Sequence, residues 1–304
     1  MNLDNRKQYL TYFFVLVGLA FFVFLLYYFG VRALWEAIRS ASPLPLGLCV
    51  AVLLAGLWVR AWKWHYALGS GQQGVGLFFM AKMAGSWTPG RAGEFAPLLL
   101  KEHRTVAVTM WIVTDRVLEV WMTLAVGIWG AWYMGITPGQ TGLALLAGGG
   151  VATLVLLLLV WRRDWIQGLE TRWAATPLVG RCLSILSALH EEVRALRNKT
   201  FPIVVSTIFA KWTDLFVVIL LCKAFGFNIQ LALAGAVRCA HALVSAIPVT
   251  PDVSGAPYVA QAVLLHEYAA MPYEVLAAAL ALEAVMVYGV LYFSYMISSR
   301  KYSL

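Results

Sequence analysis

The chain is predicted to be an all-α polytopic membrane protein, with about six full transmembrane helices plus two re-entrant hairpins arranged as an inverted repeat. Three observations carry this. Hydrophobic residues make up 61% of the 304 and charged residues only 12%, with a mean hydropathy of +0.75, so most of the surface must be solvated by lipid rather than water. Apolar runs near the twenty or so residues needed to cross a bilayer recur along the chain. Between them, Ser86-Trp87-Thr88-Pro89-Gly90-Arg91-Ala92-Gly93-Glu94 and Val249-Thr250-Pro251-Asp252-Val253-Ser254-Gly255-Ala256 place Pro and Gly at matching points of the two halves. Broken helices in corresponding positions are the best sequence pointer to a transport site.

The elements follow in order within a single membrane domain, 1–304. Residues 1–43 form an N-terminal anchor whose apolar run, about 10–28, has no small-residue cleavage site after it and reads as an uncleaved span. Repeat one, 44–134, contains spans at about 44–62 and 106–134 with a hairpin at 76–100 between them. Residues 135–200 connect the repeats through a span at about 143–161 and a basic segment, 162–199. There Leu183, Leu186, Leu189, Val193 and Leu196 recur at helical spacing among Glu191, Glu192, Arg194 and Arg197. This segment is either an amphipathic helix lying on the inner leaflet or a solvated linker. Repeat two, 201–299, repeats the order: spans at about 201–222 and 273–296 around a hairpin at 228–266.

Lys and Arg are retained on the cytoplasmic side of a membrane, and their distribution sets the orientation. Basic stretches occur at Arg6/Lys7, Arg60/Lys63, Lys101/Arg104, 162–199 and Arg300/Lys301. Both termini are therefore expected in the cytoplasm, with Arg60 and Lys63 at the inner end of the second span. The first hairpin then enters and leaves from the cytoplasmic face and the second from the external face. Trp58, Trp62, Trp64, Trp129, Trp132, Trp161 and Trp165 fall at predicted span ends, where interfacial anchors belong. The net charge of +8 needs no nucleic acid, because cytoplasmic loops beside anionic lipid account for it.

Backbone broken at membrane depth survives only packed in protein or against a wet cavity, so the breaks at Pro89, Gly90, Gly93, Pro251 and Gly255 are expected to face one. Half-helices starting near Gly93 and Gly255 would aim N-terminal amides at an anion there. Charged side chains inside apolar segments are costly, and each is expected to turn inward and find a partner. The substrate-binding candidates are Arg91, Glu94, Asp115, Arg116, Glu119, Lys211, Asp214, Arg238 and Asp252; Glu283 and His241 lie at similar depth. Arg91, at the first break, can fork onto phosphate or carboxylate oxygens, or snorkel to headgroups. Asp115 and Glu119 share one helix face while Arg116 is rotated away from it, and Lys211 and Asp214 are placed to neutralise one another.

Other chemistry is sparse. Cys49, Cys182, Cys222 and Cys239 and the five histidines show no metal-ligand spacing, so no metal or cofactor is expected. His241 either couples protons or packs. No phosphate-cradling nucleotide motif is present, so ATP hydrolysis by this chain is not expected.

The run TPGRAGEFAPLLLKEHRTVAVTMWIVTDRVLEVW resembles the signature of the lysylphosphatidylglycerol synthase transmembrane, flippase-like family: a Pro-Gly-Arg-Ala-Gly-Glu motif before a span with an acidic-Arg-x-x-acidic pattern, here Asp115-Arg116-Val117-Leu118-Glu119. Ile247 to Gly255 is similar to the family's second, Pro- and Gly-rich motif, although Tyr258 stands where relatives carry a Glu. The resemblance implies transbilayer movement of a lipid in a bacterial or archaeal cytoplasmic membrane. The expected function is a flippase for an anionic phospholipid or polyprenyl-phosphate-linked lipid, not an enzyme, with the soluble synthase domain of its relatives absent and a separate lipid-synthesis enzyme as a partner. Two alternatives stand beside it: a membrane subunit of a glycosyl- or aminoacyl-transfer enzyme, for which Glu94, Asp115 and Glu119 are the general acid or base candidates, and a non-catalytic membrane scaffold.

Overall fold

A computed structural model describes residues 31–69, 73–99, 106–135, 197–245 and 256–302. All regular elements among these residues are helical. In order they are α1 (Val31–Ser40), α2 (Pro43–Leu68), α3 (Gln73–Trp87), a 3₁₀ segment (Pro89–Leu99), α4 (Val106–Tyr133), a 3₁₀ turn (Arg197–Lys199), α5 (Thr200–Ala224), α6 (Leu231–Ser245), α7 (Ala256–Ala269) and α8 (Tyr273–Tyr302). The predicted spans at 10–28 and 143–161, the segment 162–199 apart from its last three residues, and the second break with Pro251, Asp252 and Gly255 lie outside the described residues.

Three of these helices are both long and apolar enough to cross a membrane: α2, α5 and the Tyr273–Ile297 part of α8. At 1.5 Å per residue the 26 residues of α2 extend roughly 39 Å, ample for a hydrocarbon core of about 30 Å. α4 has 28 residues, close to the predicted 106–134, but carries Asp115, Arg116 and Glu119, which it turns inward. The start of α2 reflects proline in its first turn, where no amide partner is lost. Its end reflects Gly69, which takes the left-handed conformation (φ +61°) and donates its N–H to His65 O at 3.2 Å.

α2 and α5 are antiparallel. Ser42 N–H, before α2, donates to Ala224 O at the end of α5 (2.6 Å), while Lys199 Nζ, before α5, donates to Ala67 O near the end of α2 (3.0 Å). Their crossing is close because Gly56 faces Thr213, which a Cβ would overlap. α8 begins beside the end of α5, with Ala277 and Ala278 packed on Phe225 and on Ile38 of α1.

Each hairpin region holds a pair of short helical elements packed on one another: α3 with the 3₁₀ segment, and α6 with α7. The 3₁₀ segment returns so closely on α3 that a Cβ on Gly93 would strike the Ala84 carbonyl and one on Gly85 the Glu94 side chain. α6 lies against α4 with Gly127, Gly130 and Gly235 at the contact, the small-residue device that lets membrane helices approach. α3 lies against α8. Exchanging α2 with α5, α3 with α6, the 3₁₀ segment with α7 and α4 with α8 converts α4–α6 packing into α8–α3 packing and α4–α5 into α8–α2.

Candidate substrate cavity

Within this helix set the ionisable residues converge on a cavity of about 190 Å³. The first half contributes Arg60, Lys82, Arg91, Glu94 and Glu119, and the second Lys211, Asp214, Arg238, His241 and Glu283. Desolvated charges persist only when paired, and eight of these, all but Arg91 and His241, are linked through the contacts that follow. Arg60 bridges the halves: Nη2 donates to Asp214 Oδ2 (2.6 Å) and to Ala210 O (3.2 Å), and Nε lies 3.6 Å from Glu119 Oε1. Lys82 Nζ lies 3.1 Å from Glu119 Oε2 and 3.7 Å from Glu94 Oε1. Arg238 Nη1 reaches Glu283 Oε1 at 2.6 Å, and its Nε donates to Asp214 O at 3.1 Å. Lys211 lies 3.5 Å from Asp214, the helical pair expected, although Asp214 is held more closely by Arg60.

Arg91 stands at the break, with the left-handed φ of +58° that a side chain other than glycine adopts at a cost of roughly 1–2 kcal/mol. It lines the cavity from the 3₁₀ segment, and its N–H donates to Thr88 O. Glu94, buried one turn further on, pairs with Arg116, which also lies 3.3 Å from Glu119. Arg116 thus belongs to a layer behind the cavity that fixes the two carboxylates. Asp115 belongs to the same supporting layer: Lys63 pairs with it, and Trp64 Nε1 donates to its Oδ2 at 2.8 Å.

Several sequence expectations change here. Arg60 and Lys63 do not mark a cytoplasmic helix end: α2 continues to Leu68, and both side chains are buried within the bundle, Lys63 at 1% exposure. Trp64 is not an interfacial anchor but a core residue at 1% exposure, packed edge-on against Phe78 and Trp111, whereas Trp58, Trp62, Trp129 and Trp132 are exposed as anchors should be. The Gly93 amide is not aimed at a guest, because Thr88 Oγ1 accepts it at 2.6 Å. Lys82 went unrecognised in the sequence. His241 lines the cavity, with Nδ1 2.7 Å from Gln261 Nε2 and its ring edge-on to Tyr258. Asp252 lies outside the described residues. No group of three or more histidine, cysteine or carboxylate side chains among the described residues is placed to hold a metal ion.

Residues 14–294 match the family described as the lysylphosphatidylglycerol synthase TM region. The chain belongs to that family. The match covers both halves, so the residues that line the cavity lie within the matched region. No curated protein and no solved structure matches the chain. Membership and the apolar helices together make it an integral membrane protein related to lipid synthesis or flipping.

Proposed function

We propose that the chain is a lipid translocase in the cytoplasmic membrane, moving a lipid with an anionic headgroup through the cavity between two inverted repeats. One observation carries this reading: an ion-lined cavity drawing on both halves of an otherwise apolar chain, with cations in excess. Among the described residues of the cavity and the layer behind it, Arg60, Lys63, Lys82, Arg91, Arg116, Lys211 and Arg238 accompany Glu94, Asp115, Glu119, Asp214 and Glu283, seven cations against five carboxylates. An anionic phosphate neutralises such a site, and guanidinium groups suit it geometrically.

The pairwise exchange of helix contacts between the halves supports the inverted repeat, and with it alternating exposure of a fixed central site. The remaining basic stretches, at Arg6/Lys7, Lys101/Arg104, 162–199 and Arg300/Lys301, still favour cytoplasmic termini after Arg60 and Lys63 are removed from the count. The carboxylates weigh against the enzyme alternative. Glu94, Asp115, Glu119 and Glu283 each sit in an ion pair, which suits positioning better than proton transfer. A partner lipid-synthesis enzyme would supply the lipid.

The test is reconstitution of the purified protein into liposomes containing fluorescent phosphatidylglycerol, with leaflet sidedness read by dithionite quenching. Wild type is expected to expose inner-leaflet probe, and Arg91→Ala to reduce the rate at least tenfold while folding normally. Turnover of a lipid donor without transbilayer movement would replace the translocase with the enzyme reading.

A further inference from the structure

A second cavity, of about 270 Å³, lies between α4 and α5. Met122 and Trp129 of α4 and Ile208 and Trp212 of α5 line it, so its walls are apolar, with one exception, Lys211. Lys211, Val126 and Leu215 line both this groove and the polar cavity. The two therefore adjoin across these three side chains, and an ammonium stands where the apolar groove borders the ion-lined cavity. Trp129, Ile208 and Trp212 are also exposed on the outer surface of the helix set, which connects the groove to the surrounding lipid.

We propose that this groove holds one hydrocarbon chain of a membrane phospholipid, with Lys211 at the ester-phosphate junction and the headgroup in the polar cavity. The assignment rests on the translocase reading and says where the tail travels. Three features commit it to a lipid rather than to a protein helix. The groove adjoins the ion-lined cavity, its single charge has the sign of a phosphate partner, and the stretch of α4 from Met122 to Trp129 extends only roughly 10 Å, about a third of the hydrocarbon core.

The groove runs along the later part of α4 and the middle of α5. At the corresponding junction, α2 with α8, Leu53, Leu57, Val287 and Leu291 belong to one core cluster and also line the polar cavity.

The experiment uses the full chain in nanodiscs of phosphatidylglycerol doped with phosphatidylglycerol carrying a diazirine on one acyl chain, and in parallel with a diazirine diacylglycerol that has no phosphate. After photolysis, adducts are mapped by peptide mass spectrometry. Labelling of the 122–129 and 208–215 peptides is expected to exceed severalfold that of the more exposed apolar surface at Val285, Tyr292 and Phe293. Lys211→Gln is expected to remove this excess for the phospholipid and leave diacylglycerol labelling unchanged, with Lys211→Arg restoring it. Labelling no greater than at the α8 surface, or unaltered in Lys211→Gln, overturns the assignment. The outcome is independent of transport: groove labelling in a protein that moves no lipid would remove the translocase reading and keep the site, whereas transport with uniform labelling would do the reverse.

Discussion

The Lys63–Asp115 pair offers the sharpest check on how the interior is held together. Both side chains are 1% exposed, Lys63 has Thr207 Oγ1 as its other partner (3.2 Å), and Asp115 has Trp64 Nε1. Replacing Lys63 by Met leaves a carboxylate at the centre of the bundle with one neutral donor. Breaking a buried pair in this way costs about 3–5 kcal/mol, equivalent to roughly 5–8 °C of melting temperature for a chain of this size. Removing both charges, in Lys63→Met with Asp115→Asn, relieves the uncompensated ion. The double variant is therefore expected to melt above Lys63→Met, with a coupling of about 2–3 kcal/mol between the sites. Thermal unfolding in detergent, followed by size-exclusion chromatography of all four proteins, gives the cycle. Strict additivity of the two single losses would show that the pair is not desolvated and would refute the reasoning.

Two further substitutions test the packing. Gly130→Leu must displace the Ala232 backbone of α6 and is expected to lose about 3 kcal/mol or more, whereas Gly289→Leu on α8, where a Cβ meets nothing within 4 Å, should change melting by no more than about 0.5 kcal/mol. Equal losses at the two glycines would contradict the close α4–α6 approach. Cys49, Cys222 and Cys239 are buried, so in a Cys182→Ser background the folded protein is expected to resist maleimide and to react at three thiols only after denaturation in SDS. Rapid labelling of the native form would contradict their burial.

Much of the architecture was legible because hydropathy and helix length are one-dimensional quantities. The limits of α2, α4, α5 and α8 fall close to the apolar runs, and Pro89-Gly90 and Gly93 do mark a reversal of the chain. The site was legible in its acids and less so in its bases. Arg60 and Lys63 look like a cytoplasmic flank when the apolar run is ended at residue 62, because a basic cluster after a span and one within its last turns share the same composition. Two signals could have separated them. Gly69 is the natural cap, which places Lys63 more than a turn inside the helix. In addition, α4 carries two carboxylates and only one arginine, so cations had to come from another segment. Lys82 gives no comparable signal: a lone lysine in a short apolar helix has a partner only once the 3₁₀ segment and α4 are folded against it.

The placement of these charges bears on why the first half carries a break at all. A regular helix through 86–94 would keep Arg91 and Glu94 one turn apart on one face. The 3₁₀ segment and the left-handed Arg91 change that relation: both side chains line the cavity, and Glu94 is tied back to Arg116 in the supporting layer. Among the described residues the cavity wall then carries Arg60, Lys82, Arg91, Lys211 and Arg238 beside Glu94, Glu119, Asp214 and Glu283. On the translocase reading, a phosphate diester meets these cations while its chains lie in the adjoining apolar groove, which makes a lipid a better fit to this arrangement than a free anion.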